Sequence, residues 1–153
     1  MNSFIHKNWN RSLLLYHFAC PTNYRHVVVS DESDELETTL VQICLEISDR
    51  YEIEFFEIGV DKNQIYFLIQ SAPTYSPTRI ITIVKSITGR ELFARIPALK
   101  KALWRSAFWS NEFYVDTVEQ YDKESGTHRY IAGQGLVDYR SLYEAVEKSL
   151  PLL

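Results

Sequence analysis

The stretch "NQIYFLIQS", residues 63–71, sets Gln64 and Tyr66 two positions apart in a run of strand character. Side chains at i and i+2 of a strand leave from one face. At that spacing two donors can grip a single ion while the residue between them, here Ile65, turns into the core. The donors in this chain are an amide and a phenol. The amide oxygen of Gln64 is a weak ligand for Mg²⁺. The phenol of Tyr66, with an ordinary pKa of about 10, is neutral at pH 7 and a poor ligand in that form. Asp61 and Asp116 are the acids in neighbouring segments that could add charge, with Asp61 disfavoured by its place in an expected turn. The four histidines, His6, His17, His26 and His128, form no H-x-H pair.

A second chemistry is written in the charges. The net charge is -4, but the two signs are separated along the chain. Residues 31–62 hold eleven acids against Arg50 and Lys62. Residues 74–110 hold Arg79, Lys85, Arg90, Arg95, Lys100, Lys101 and Arg105 against Glu91 alone. Such a local basic segment can bind phosphates in an acidic protein. It also carries Trp104, Phe108 and Trp109, whose rings suit either base stacking or a core and dimer interface. Arg79, Lys85, Lys100, Lys101 and Arg105 are the candidate DNA-binding residues.

The elements that must position these residues follow from periodicity. "RSLLLYHFACPT" (11–22) has strand length and ends at a proline. "SDELETTLVQICLEISDRY" (33–51) is helical, with Ser33 as its cap and Leu36, Leu40, Ile43, Cys44 and Ile47 on one stripe. "YEIEFFEIGV" (51–60) and "QIYFLIQS" (64–71) are strands joined by a hairpin turn at "VDKN". Ser76 and Pro77 open a second helix, which shows Ile80, Ile81, Val84 and Ile87 on one side and is expected to end at Gly89. "EFYVDTVEQ" (112–120) is a further strand, "KESGTHRYIAGQ" (123–134) contains a short helix, and "YRSLYEAVEKSL" (139–150) is a terminal helix. The order β-α-β-β-α-β predicts an α+β fold, a ferredoxin-like or RRM-like split βαβ antiparallel sheet with helices on one face and an added C-terminal helix.

At 153 residues the chain reads as a single domain, 1–153, with a real core. It has no apolar run of the roughly 18 to 20 residues that spans a bilayer, and its start shows no small-residue cleavage site. Cys20 and Cys44 lack a C-x-x-C spacing and are expected to be reduced packing residues of a cytoplasmic protein.

Three strings in order, "GVDKNQIYFLIQSAPTYSPTRIITIVKSITGRELF", "LWRSAFWSNEFYVDTV" and "RYIAGQG", with "LLLYHFACPTNYRHVV" before them, carry a resemblance. The chain resembles the single-tyrosine HUH transposases of small bacterial insertion sequences, the insertion-sequence-two-hundred type, over residues 10–136. The resemblance implies a homodimer that binds hairpins in single-stranded DNA at transposon ends. It implies a helix-borne tyrosine that attacks a phosphodiester to leave a 5′-phosphotyrosine and a free 3′-OH, and a divalent ion, Mg²⁺ or Mn²⁺, held by two histidines and a glutamine. By position the tyrosine is Tyr130, the glutamine is Gln134, and the two histidine places hold Gln64 and Tyr66. Tyr130 and Gln134 are four apart, one face of a helix. A phenol is a weak nucleophile at neutral pH, so attack on a phosphate diester needs such help.

Two departures bear on activity: the histidine pair is replaced, and Glu119 stands where the family usually has glycine after "TV". The expectation is a transposase-family DNA-binding protein with impaired cleavage. The alternatives are a non-catalytic hairpin-binding relative and an RRM-like RNA-binding module, the latter lacking the aromatic RNP1 pattern.

Overall fold

The computed structural model describes residues 5–7, 10–12, 15–23, 32–61, 64–118, 129–132, 135–138 and 140–141, with side chains over 15–23, 35–61 and 64–118. A short hairpin of β1 (Ile5–Lys7) and β2 (Asn10–Ser12) precedes β3 (Leu15–Pro21). Then come α1 (Glu32–Arg50), β4 (Ile53–Asp61), β5 (Gln64–Ser71), α2 (Pro77–Arg95), α3 (Pro97–Ala102) and β6 (Tyr114–Val118). A second hairpin, β7 (Arg129–Ala132) with β8 (Gly135–Asp138), and the two-residue β9 (Arg140–Ser141) follow.

The main sheet is antiparallel between neighbours and runs β6-β3-β5-β4-β9. Its four longer strands, with α1 and α2, form the expected split βαβ arrangement: β5 lies between β3 and β4, which α1 connects. Alternation divides the sheet into two faces. Phe18 and Cys20 of β3, Ile53, Phe55 and Ile58 of β4, and Ile65, Phe67 and Ile69 of β5 join Leu40, Ile43, Ile47, Ile80, Ile81 and Val84 of the helices in one buried core. Leu15, Leu68 and Val118 form a smaller cluster, with Phe56 and Tyr66 packed on it. They alternate with the core residues of their strands and so lie on the face away from the helices.

The second helix begins as its sequence dictates. Ser76 Oγ accepts from the Arg79 backbone N–H at 3.1 Å, and Pro77 takes the first helical position. It does not end at Gly89. The helix runs a further six residues to Arg95 and stops before Pro97, which biases Ile96 to φ -127°, ψ 82°. Gly89 is instead a packing residue: a Cβ there would lie 3.3 Å from Trp109 Cδ1. The indole rests on this bare turn, and its Nε1–H donates to Thr88 Oγ1 at 2.9 Å. The Thr88 hydroxyl in turn donates to the Val84 carbonyl at 2.6 Å. Trp109 also packs edge-on to Phe108, with centroids 4.9 Å apart, and against Phe67 of the sheet.

Three further expectations change. The first helix already includes Glu32, so Ser33 lies inside it and is not its cap. Residues 129–132 form a strand, where a short helix was expected. Arg140 and Ser141 pair with Ile58 and Glu57 as a fifth strand, so no helix starts at 139; residues 142–150 lie outside the described residues.

Trp109 joins α2, the sheet and the loop before β6, so its removal opens a void that neither layer can collapse into. Trp109→Ala is expected to cost about 3–5 kcal/mol in equilibrium urea unfolding. A loss under about 1 kcal/mol would show that the indole is not a packing centre.

Candidate functional site

The site suggested by residues 64 and 66 is the sheet face away from the helices. Gln64 and Tyr66 are half-buried there and Ile65 between them is fully buried in the core, as their spacing requires. The register explains how a phenol fits. Tyr66 lies between Ala19 of β3 and Gly59 of β4, two of the smallest residues in the sheet. Its ring packs against the small apolar cluster that includes Leu68 and stacks on the imidazole of His17, with centroids 5.7 Å apart and planes 14° from parallel.

His17 is the residue that sequence reasoning passed over. It belongs to no H-x-H pair in the sequence, and only strand register shows that it sits beside Tyr66 and directly across from Asp116 of β6. Burial disfavours the imidazolium and lowers its pKa to about 4, against the opposing pull of the Asp116 carboxylate. The imidazole is therefore neutral at pH 7. Burial raises the Tyr66 pKa, and the Asp61 carboxylate adds to the rise, so the phenol also keeps its proton.

Asp61 is placed differently from expectation. It is the last residue of β4, directly across from Gln64, and not part of the turn proper. The face thus carries the amides of Gln64 and Gln70, a protonated phenol, one imidazole and the acids Asp61, Asp116 and the buried Glu57, spread over four strands. Among the described residues no three of His, Cys, Asp and Glu stand close enough to hold an ion. The donor set does not fit the divalent metal that the sequence resemblance implies: the ring of Tyr66 fills as packing the place where a ligand would stand.

Tyr130 lies in β7, paired with Val137 of β8. The helical i, i+4 relation to Gln134 does not hold there, because residue 130 has strand backbone. Gln134 and Glu119 lie outside the described residues, as do the side chains of β7.

The basic candidates divide by what already holds them. Lys85 donates to the carbonyls of Ser110 at 2.7 Å and Glu112 at 3.2 Å, tying α2 to the approach to β6. Its pKa is lowered by burial. Arg79 is exposed and lies over the Tyr75 ring at 5.6 Å. Lys100 and Lys101 of α3 and the nearby Arg105 are exposed. All five belong to the helical layer and its loops, so the structure does not bring them to the face of Gln64 and Tyr66. An open groove of about 500 Å³ runs between α2 and residues 107–113, with Lys85 and Arg90 on its walls and Phe93, Trp109 and Phe113 among its rings.

Of the seven basic residues of the segment, Arg95 is spoken for by a fork to Glu46 of α1, at 2.7 and 2.9 Å, and by Glu91. Of the expected stacking rings, Phe108 and Trp109 are buried, and Trp104 alone is exposed. Cys20 and Cys44 are free and buried. Burial pushes Cys20 up to about 12, against the pull of Lys85, and pushes Cys44 up as well, which suits packing residues.

A profile of the family described as "Transposase IS200 like" matches residues 10–134. A crystal structure of a candidate transposase from Deinococcus radiodurans R1 is similar in fold, with a TM-score of 0.58 and 24% identity over 76% of this chain and 88% of that one. A second solved structure, a REP-associated tyrosine transposase bound to a REP hairpin, aligns at a TM-score of 0.41 and 9% identity over 70% of this chain and 57% of that one. No curated protein matches the chain. No described helix is long and apolar enough to cross a membrane.

The buried imidazole gives a pH signature. The unfolded chain protonates His17 at about 6.5 and the fold only at about 4, so stability is full above about 6.5 and falls as pH drops through that window. The slope is expected to approach 1.4 kcal/mol per pH unit at most. Urea unfolding between pH 4 and 7 checks it: His17→Phe is expected to flatten that part of the profile, and an unchanged slope would remove His17 as its source.

Proposed function

The chain belongs to the IS200-like transposase family, and from that premise we propose that it binds hairpin-forming single-stranded DNA at insertion-sequence ends as a homodimer, with cleavage through a 5′-phosphotyrosine at Tyr130 impaired. The observation that carries the impairment is the stacked, apolar setting of Tyr66. A neutral phenol stacked on an imidazole and packed against an apolar cluster serves the fold and not an ion.

DNA binding is the part of the family activity that this chain retains in our reading. It needs no metal, only exposed cations and rings, and Arg79, Lys100, Lys101 and Arg105 supply the cations. Pairing of chains is supported by β6. Tyr114, Val115, Asp116 and Thr117 are all exposed, and among the described residues this strand pairs only with β3, leaving an edge open. A location in the cytoplasm, where such DNA is found, belongs to the same reading.

Cleavage is tested with a single-stranded hairpin suicide substrate and Mn²⁺. Metal assistance to such a step is worth several kcal/mol, so the covalent adduct on Tyr130 is expected about a thousandfold more slowly than in a relative with both histidines. Efficient adduct formation that Tyr130→Phe abolishes would overturn the impairment. The pair Gln64→His and Tyr66→His is expected to bring measurable Mn²⁺ binding by calorimetry.

Binding is tested by titrating hairpin DNA at several salt concentrations. The combined change of Lys100, Lys101 and Arg105 to alanine is expected to weaken binding and to flatten the salt slope by about 0.7 for each phosphate no longer neutralised. An unchanged affinity and slope would move the DNA surface elsewhere.

A further inference from the structure

Trp104 is 73% exposed, the most exposed large apolar side chain among the described residues. Its neighbour Arg105 has φ 65°, the one positive φ among the described non-glycine residues. The two anomalies are one device. The left-handed backbone at Arg105 costs energy that a glycine would not incur. Here it accompanies an arginine turned back over the indole, with Cζ 4.4 Å from the ring centroid.

The device is rigidly mounted. On one side α3 ends with the Leu103 backbone N–H donating to Leu99 O at 3.0 Å, and both leucines are buried. The turn is closed by the Ser106 N–H donating to Leu103 O at 2.6 Å. On the other side the Asn23 backbone N–H donates to Phe108 O at 2.8 Å and its Nδ2 to Ala107 O at 2.8 Å. An indole held out in water by a fixed, strained turn is not left over from packing, since the same loop buries Phe108 and Trp109.

Its surroundings say what it meets. Lys100 and Lys101 are exposed on α3, one turn before it, and Arg105 lies against its ring. Three cations around a flat aromatic surface repel a basic partner and attract a polyanion that carries flat rings. We infer that Trp104 is a stacking platform for an unpaired base of single-stranded DNA, with Arg105 backing the ring and Lys100 and Lys101 neutralising the adjacent phosphates. The inference deepens the hairpin-binding reading and rests on it: it assigns the unpaired flank of the DNA, and not its duplex stem, to this knuckle.

The test uses the full chain in fluorescence anisotropy with three labelled DNAs: a hairpin with a single-stranded flank, the same hairpin with abasic sites throughout the flank, and unstructured oligothymidylate. The exposure of Trp104 means that its replacement leaves the core intact. Trp104→Ala is expected to weaken binding of the intact-flank hairpin about tenfold and to leave the abasic-flank hairpin unaffected, while Trp104→Tyr keeps most of the affinity. Equal binding of the intact-flank hairpin by wild type and Trp104→Ala would overturn the platform and leave the hairpin reading standing. Trp104-dependent binding of oligothymidylate without preference for the hairpin would support the platform and overturn the hairpin reading. Absence of binding to all three DNAs overturns both. A Trp104→Ala protein that changes its sedimentation coefficient instead would overturn the platform in favour of a second copy of the chain as the occupant.

Discussion

Strand β5 must satisfy two faces at once, and most of the molecule follows from that constraint. Ile65, Phe67 and Ile69 are fully buried on the helical side, and they fix where α1, α2 and Trp109 can sit. With period two, the intervening Gln64, Tyr66, Leu68 and Gln70 have no choice but the other face. A slip of one residue would bring Gln64 and Tyr66 into the core and expel Ile65 and Phe67. The register that makes the core is therefore the register that presents positions 64 and 66 side by side. The fold holds that presentation whatever the two residues are.

That presentation shows in what surrounds Tyr66. Ala19 and Gly59 flank it, and the ring takes up the space that their small side chains leave. Polar groups gathered to bind an ion lower stability in its absence, through mutual repulsion and lost hydration. An aromatic ring stacked on His17 and packed against the apolar cluster beside it adds apolar contact instead. At position 66 the fold itself therefore favours a packing residue over a group whose only use would be to hold an ion.

The parts of the fold legible in the sequence were those governed by local rules. Strand β5 matched residue for residue, and the cap at Ser76 and Pro77 was where residue types placed it, because alternation and capping act over a few positions. Gly89 was misread for a physical reason. A glycine after an apolar stripe has the signature of a helix end, but its lack of a Cβ here serves Trp109, twenty residues on, and nothing local announces that. The helical assignment around Tyr130 failed similarly: "RYIA" fits either backbone, and its pairing with "GLVD" is a contact between segments. His17 and Asp116 were visible as residues and invisible as neighbours, since one comes from β3 and the other from β6, and register alone brings them together.

The charges show the same limit. A count along the chain marks residues 74–110 as basic without telling which cations are free. Arg95 forks onto Glu46 and so clamps α2 to the acidic first helix, and Lys85 is tied to two backbone carbonyls. Those two hold the helical layer together, while the cations without such structural duties lie towards its exposed ends, at Arg79 and around α3. The acids Asp61 and Asp116 remain on the opposite face, beside Gln64, Tyr66 and His17. A phosphate chain is thus drawn to the helical side and repelled from the sheet face unless a cation stands there to offset the carboxylates. In a site with a bound divalent ion, the ion itself would supply that offset. Neither Gln64 nor Tyr66 offers such an offset, since one is a neutral amide and the other a phenol that keeps its proton.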